Sequence, residues 1–284
     1  MPNLRSVRRI GVLIMATDSA VVARVPLVPV QAEPSLRAEM VTELVAGELA
    51  DVTGREEEWL AVRTRVDEYT GFVHEGYVTP VEGEEAALWE KAAWCGGGSG
   101  DVVFAVAGDR MTYPLRARVL LRDDGWVRLP DGRSAELVRG QVLPLDQAIA
   151  RAGRQPVHRW VAAAFAGTPY RWGGVTPWGA DCSGLVQTAW RARGVHLPRD
   201  AGDQALGGDV VSPEAIAPDD LLFFRGDVTD RITHVGIAAP EGHLIHCAVA
   251  CGGLTLEALH GTPRGAALRE RLVSVRRITS RRPA

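Results

Sequence analysis

The stretch GTPYRWGGVTPWGADCSGLVQTAWRARGVHLPRDAGDQ, from Gly167 to Gln204, constrains this chain more than any other. Its middle must begin a helix. Asp181 is a good N-cap, Cys182, Leu185, Val186 and Ala189 fall on one helical face, and Gly194 is a good C-terminal stop. A loop rich in glycine and aromatic residues therefore delivers Cys182 into a first helical turn. Unpaired backbone N–H groups and the positive end of the helix dipole favour the thiolate there, which is the reactive form. A cysteine taken at random is more often a buried structural residue. The crowd of Tyr170, Trp172, Gly173, Gly174, Asp181 and Ser183 around this one points instead to a nucleophile.

A cysteine nucleophile needs a base for its proton, and the base needs a third group to orient its ring. The chain holds seven histidines, and the downstream strands narrow the choice. If THVGIAA and HLIHCAV form a hairpin turning at Glu241, His246 lies opposite Gly236, and His234 is on the same face one pleat along. Gly236 leaves space between them, so His234 and His246 can touch. His243 has the opposite parity and should face away, while His74, His158, His196 and His260 have no such support. The residues DDLLFFRG, ITHVGIAAPEGHLIHCAVA, GGLTLEALH and LRERLVSVRRI read as strands after the helices of 156–194, an α+β arrangement.

With 284 residues and 46% hydrophobic content, the chain suits two or three domains with real cores. A net charge of -3 gives no pointer to nucleic acid or an anionic membrane surface, and no stretch is long enough to span a bilayer. Four cysteines are too few and too irregular for a disulfide scaffold, and a reactive thiol is most easily kept reduced in the cytoplasm, the expected location. Residues 1–20 are a leader or first strand. Arg5, Arg8 and Arg9 before IGVLIMA partly resemble a secretory signal, which leaves export open, but Asp18 follows closely and there is no clear cleavage site.

Residues 21–83 alternate like short antiparallel strands broken by turns, a small barrel. The segment VPVQAEPSLRAEMVTELVAGELADVTGREEEWLAVRTRVDEYTGFVHEGYVTP resembles a bacterial SH3 domain, most specifically in WLAV and GFVHEGYV. Residues 84–100 read as a helical and glycine-rich linker, with EGEEAALWEKAAWC as the helix. Strand signals return over 101–150, where the DDGW and PDGR turns fit a second small barrel. Residues 151–284 form the last domain.

That last domain resembles the NlpC-type family of papain-like cysteine peptidases that cut bacterial cell-wall peptides. GTPYRWGG, GADCSGLVQ, LPRDAGDQ, LLFF, THVGIA and HLIHCA carry the likeness, in order. The resemblance implies Cys182 as nucleophile, His234 as general base and His246 as the polar third member. It extends to the branch that places two SH3-like β-barrels before the catalytic domain and cleaves between γ-D-glutamate and a diamino acid. In that branch the substrate is a murein peptide with a free N-terminal L-alanine. Its implied recognition residues are Asp181, Ser183 and Asp200, with Tyr170 lining the site. Tyr77 and, less strongly, Glu43 are expected to reach across from the first barrel and close one end of the cleft.

This chain departs from the family pattern at Asp219-Asp220, where Gly-Asp is usual, and at Ala238, where an aromatic is usual. These changes bear on substrate fit more than on chemistry. No cofactor is expected, and no metal: strand alternation splits His243, His246, Cys247 and Cys251 between faces, and there is no CxxC. The same residues also fit a broader cell-wall hydrolase targeted by its SH3-like modules, or a wall-peptide binding protein without activity. The assembly state and the preferred diamino acid are left open.

Overall fold

A computed structural model describes residues 19–96 and 101–279. The reading of residues 1–18 as a leader or strand lies outside them. Strands from Ala20–Ala23 to Val78–Val81 form the first, seven-stranded antiparallel sheet. Its inward apolar residues, including Val28, Val30, Leu44, Val62 and Val73, close on one another as a small core.

The expected helix at the linker is shorter than the sequence suggests. It spans Gly83–Glu90 and stops, and Ala93–Cys95 is a strand that pairs with Arg118–Leu121 and Val142–Leu143. The second seven-stranded barrel thus begins at Ala93, before the glycine run, rather than after it. Trp94 and Cys95 are buried, and that burial outweighs the helix preference of the preceding alanines. At the other boundary, the helix Leu145–Ala152 buries Ala148 and Ala152 in the core of the last domain.

That last domain packs the helices Val157–Ala164 and Cys182–Arg191 on a six-stranded antiparallel sheet. The strand order is Asp209–Val210, Leu272–Arg277, Leu221–Arg225, Ile232–Ala239, His243–Ala248, Gly253–Ala258. The Cys182 helix is buried along its whole length, so it forms the spine of the domain. The central hairpin has the expected register, Ile237 opposite Ile245 and Ala239 opposite His243, and turns at Glu241 with a positive φ of 59°. A β-carbon on Gly236 would lie 2.7 Å from Leu244 Cδ1 and 3.0 Å from the β-carbon of His246, so only glycine fits between them.

The three units share their interiors. Trp94 and Leu115 of the second barrel join the catalytic core, and Val45 and Ala46 of the first barrel pack with Val175 in the second barrel's core. At the junction, Arg116 donates from Nε to Glu48 Oε1 at 2.6 Å and from Nη1 to Thr188 Oγ1 at 3.0 Å, linking one residue from each unit in a buried place.

The departure at Asp219 has a local cause. Its φ is 75°, a left-handed conformation that glycine adopts freely and aspartate tolerates. Its carboxylate accepts from the backbone N–H of Val157 at 3.0 Å and of His158 at 2.8 Å, capping the start of that helix. Asp219 therefore anchors a helix, and Ala238 is buried in the core on the other side of the sheet. Neither lines the cleft around Cys182.

Candidate active site

Cys182 sits in the first turn of its helix, as its spacing requires, with Asp181 as the N-cap accepting from Gly184 N at 2.7 Å. The thiol is 7% exposed. Burial outweighs the helix end: together with the Asp181 charge it pushes the Cys182 thiol up to about 11, against the opposing pull of the Val235 and Ser183 N–H groups and Arg199. The thiolate expected from the helix position is thus not the resting form.

The hairpin brings His234 Nε2 to 2.7 Å from His246 Nδ1, and His246 Nε2 lies 3.1 Å from Glu257 Oε2. Glu257 was not anticipated from sequence, and it decides the tautomers. Its carboxylate only accepts, so His246 donates from Nε2 and accepts at Nδ1; His234 then donates from Nε2, leaving its Nδ1 as a bare acceptor. His234 and Cys182 line the same cavity of about 290 Å³, with Tyr170 beside them. Burial, and then the nearness of His246, hold His234 down to about 3; burial, and then Arg264, hold His246 down to about 4. Both rings are neutral at neutral pH. The result is a chain of hydrogen bonds from Glu257 to His234 that ends in an uncharged ring nitrogen in the cavity that the Cys182 thiol also lines.

Burial and the nearby Cys182 push the Tyr170 hydroxyl well above its ordinary range, so it remains a donor. As the first residue of its helix, Cys182 has a backbone N–H with no intrahelical partner.

On the other side of Cys182 lies a larger cavity of about 660 Å³, walled by the first barrel and lined by Glu39, Tyr69, Asp181, Ser183, Arg199 and Asp200 among others. Four carboxylates, from Glu39, Asp181, Asp200 and Asp203, face one guanidinium there. Their availability differs. Asp181 accepts from Gly173 N at 2.8 Å, Gly184 N at 2.7 Å and Arg199 Nη2 at 2.5 Å, and Arg199 Nη1 also reaches Ser183 Oγ at 2.8 Å. Asp181 and Ser183 are thus spent on a buried network. Asp200 accepts a single bond, from the Tyr69 hydroxyl at 3.1 Å, and Glu39 accepts one from Trp172 Nε1 at 2.7 Å. Each keeps an oxygen for a ligand.

Two expected wall residues are elsewhere. Tyr77 packs on the first barrel's own core, its ring 6.0 Å from His74, away from the cleft. Glu43 is 2% exposed, and its carboxylate accepts from Val175 N at 2.9 Å and pairs with Arg171. It joins the domains rather than facing a ligand. Tyr69 and Glu39 occupy the expected places instead. The pairing of Tyr69 with Asp200 crosses from one domain to another, which no local pattern in either segment reveals. Gly173 makes the approach possible: at φ 76°, its missing β-carbon would lie 2.6 Å from Met40 O.

Of the cysteines and histidines weighed for metal binding, Cys247 Sγ turns into the core toward Ala180 O, and His243 bonds Pro240 O at the far end of its strand. A different group, His246, Cys251 and Glu257, converges within 4.8 Å. Arg264 already supplies a cation there, with Nε 2.6 Å from Glu257 and Nη2 2.8 Å from Cys251 Sγ.

The fold and the line from Cys182 to Glu257 define a cysteine-type hydrolase with two barrels attached. Residues 167–277 match the NlpC/P60 family, and residues 30–76 match the bacterial dipeptidyl-peptidase SH3 domain. The chain therefore carries an NlpC/P60 cysteine-peptidase domain behind a bacterial SH3 domain. It is 42% identical over 85 residues to a γ-D-glutamyl-L-lysine dipeptidyl-peptidase of Bacillus subtilis, covering 30% of this chain and 29% of that protein. It is 31% identical over 132 residues to the protein of the same name from Bacillus cereus, covering 45% and 37%. The matches thus span only 29% and 37% of the length of these curated relatives. In fold, it is similar to an NlpC/P60 family protein of Bacillus cereus with a TM-score of 0.72 at 20% identity, over 91% of this chain and 99% of that one.

Proposed function

We propose that this protein is a cysteine endopeptidase that hydrolyses the bond from γ-D-glutamate to a diamino acid in murein peptides with a free N-terminal L-alanine. The observation that carries the reading is the walled acidic cavity beside Cys182, where Asp200 and Glu39 hold uncommitted oxygens. An N-terminal ammonium on the residue just before the scissile glutamyl carbonyl suits that end, where the first barrel contributes Glu39, Val41 and Tyr69 to the wall and would crowd a glycan strand attached there. Such amines arise once peptides are released from glycan, which places the step in peptide turnover and favours the cytoplasm.

His234 Nδ1 takes the Cys182 proton as sulfur attacks the glutamyl carbonyl carbon. The unpaired N–H of Cys182 and the Tyr170 hydroxyl receive the oxyanion. His234 then returns the proton to the leaving amine of the diamino acid. In the second half His234 accepts a proton from water, which attacks the thioester carbonyl; the C–S bond breaks, L-Ala-D-Glu leaves, and His234 returns the proton to the Cys182 sulfur. His246 and Glu257 hold the tautomer throughout. Asp181 and Arg199 position the cysteine turn.

The test is hydrolysis of L-Ala-γ-D-Glu-meso-diaminopimelate and L-Ala-γ-D-Glu-L-Lys by the wild type and by Cys182→Ala. Cleavage at the glutamyl bond that disappears in the variant is expected. Equal cleavage by both proteins sinks the assignment, and wild-type digestion of intact sacculi at a comparable rate shifts it to a broader wall hydrolase.

A further inference from the structure

The cleft is electrically lopsided about Cys182, and the arginines on its second side have no role in substrate binding in the reading above. Arg225, Arg264 and Arg271 line the cavity that holds Cys182 and His234, with Asp227 the carboxylate among its lining residues. This is the side on which the leaving diamino acid must lie if the ammonium occupies the acidic side.

The three guanidiniums are not equivalent. Arg264 is held by Glu257, by Ala250 O at 3.1 Å and by Cys251. Arg271 bonds Ala267 O at 3.2 Å and pairs with Asp227, whose side chain is 81% exposed. Arg225 has no side-chain hydrogen-bond partner among the described residues, although it is only half-exposed. It follows Phe224 at the end of a central strand, and the Phe224 ring lies 5.8 Å from that of His234. A strand end beside the base is a rigid mount. A planar guanidinium with free donors in a cleft is suited to bidentate capture of a carboxylate.

We infer that Arg225, supported by Arg271, binds a carboxylate of the leaving diamino acid and makes the enzyme selective for substrates that carry one. The inference rests on the proposed peptidase reading. Arg225 receives the carboxylate directly. Arg271 is released for it from an exposed pair with Asp227 that water already weakens. Diamino acids offer two sources: the α-carboxylate at the end of a tripeptide, and a side-chain carboxylate such as that of diaminopimelate.

The experiment compares kcat/KM on four L-Ala-γ-D-Glu derivatives, in the wild-type full chain, Arg225→Gln and Arg225→Lys. The leaving groups are meso-diaminopimelate, L-lysine, L-lysine amide and the carboxylate-free aminomethylcoumarin. The ratio of lysine to lysine amide reads the α-carboxylate, and the ratio of diaminopimelate to lysine reads the side-chain carboxylate. We expect at least one ratio to exceed ten in the wild type, to fall at least tenfold in R225Q, and to recover in part in R225K. Ratios near one in the wild type, or unchanged in R225Q, overturn the inference while the peptidase reading stands. No turnover of any derivative, the coumarin included, overturns both.

Discussion

Acetylating the N-terminal amine of the proposed substrate tests the acidic cavity most directly. The change removes one positive charge and leaves the reacting bond untouched. Asp200 and Glu39 each keep one uncommitted oxygen, so two charge-assisted hydrogen bonds are lost, and both carboxylates are covered by an uncharged group. Both side chains are exposed before substrate arrives, which sets each loss near the low end of the range for charged hydrogen bonds, about 1 to 2 kcal/mol. The sum is about 2 to 4 kcal/mol, or roughly 30-fold to 1,000-fold in kcat/KM. The assay is competition between L-Ala-γ-D-Glu-L-Lys and its N-acetyl form, followed by chromatography. The double variant Glu39→Gln, Asp200→Asn should turn over the free peptide more slowly and discriminate less than about tenfold, since its amides no longer require a cation. Equal wild-type rates for the two peptides refute the reasoning. Full discrimination retained in the double variant places the selectivity elsewhere, with Asp181 and Asp203 the remaining carboxylates of the cavity.

Three further outcomes follow from the same geometry. His246→Ala removes the group that fixes the His234 tautomer, so kcat should fall by about 10²-fold to 10⁴-fold with KM little changed, and His246→Asn should recover part of it; equal loss in both variants argues against an orienting role. Both buried rings titrate near 6.5 when unfolded but are held down to about 3 and about 4 in the fold. Their stabilisation is therefore complete above about pH 6.5 and is lost as pH falls toward those values, by up to about 1.4 kcal/mol per pH unit for each ring. Urea midpoints should drop between pH 7 and pH 5, and the drop should be smaller in His246→Asn; a flat wild-type midpoint counts against neutral buried rings. Arg116→Met leaves Glu48 charged and 0% exposed without its main partner, at a cost of about 3 to 5 kcal/mol in stability measured by urea unfolding. A loss below about 1 kcal/mol would mean that the junction is not held by this pair.

Much of the site was legible because its geometry is local or periodic. The start of the Cys182 helix follows from Asp181, the apolar spacing and Gly194, all within one segment. The contact of His234 with His246 follows from strand parity once Glu241 is taken as the turn, and Gly236 marks the space between them. The barrels were legible from alternation, but the start of the second was not. Ala93–Cys95 follows a helix closely and is a strand because Cys95 fills the barrel interior while Trp94 on its other face fills the core of the last domain.

Other features depend on how separate segments meet. Tyr77 and Glu43 carried suitable chemistry, yet the register of the first barrel turns Tyr77 onto its own core and spends Glu43 on the loop at Val175. Tyr69, in the turn after Asp67 and Glu68, is what reaches Asp200. Its reach depends on the first barrel resting against Gly173, a contact made across domains. The state of the thiol is legible only in three dimensions for a similar reason. The helix end lowers its pKa as the sequence suggests, but the depth at which neighbouring elements bury it decides the sign. A buried neutral thiol beside a buried neutral imidazole makes proton transfer part of the attack. Charge then develops only when a substrate carbonyl is in place to receive the sulfur, and adventitious oxidation of the waiting nucleophile is disfavoured.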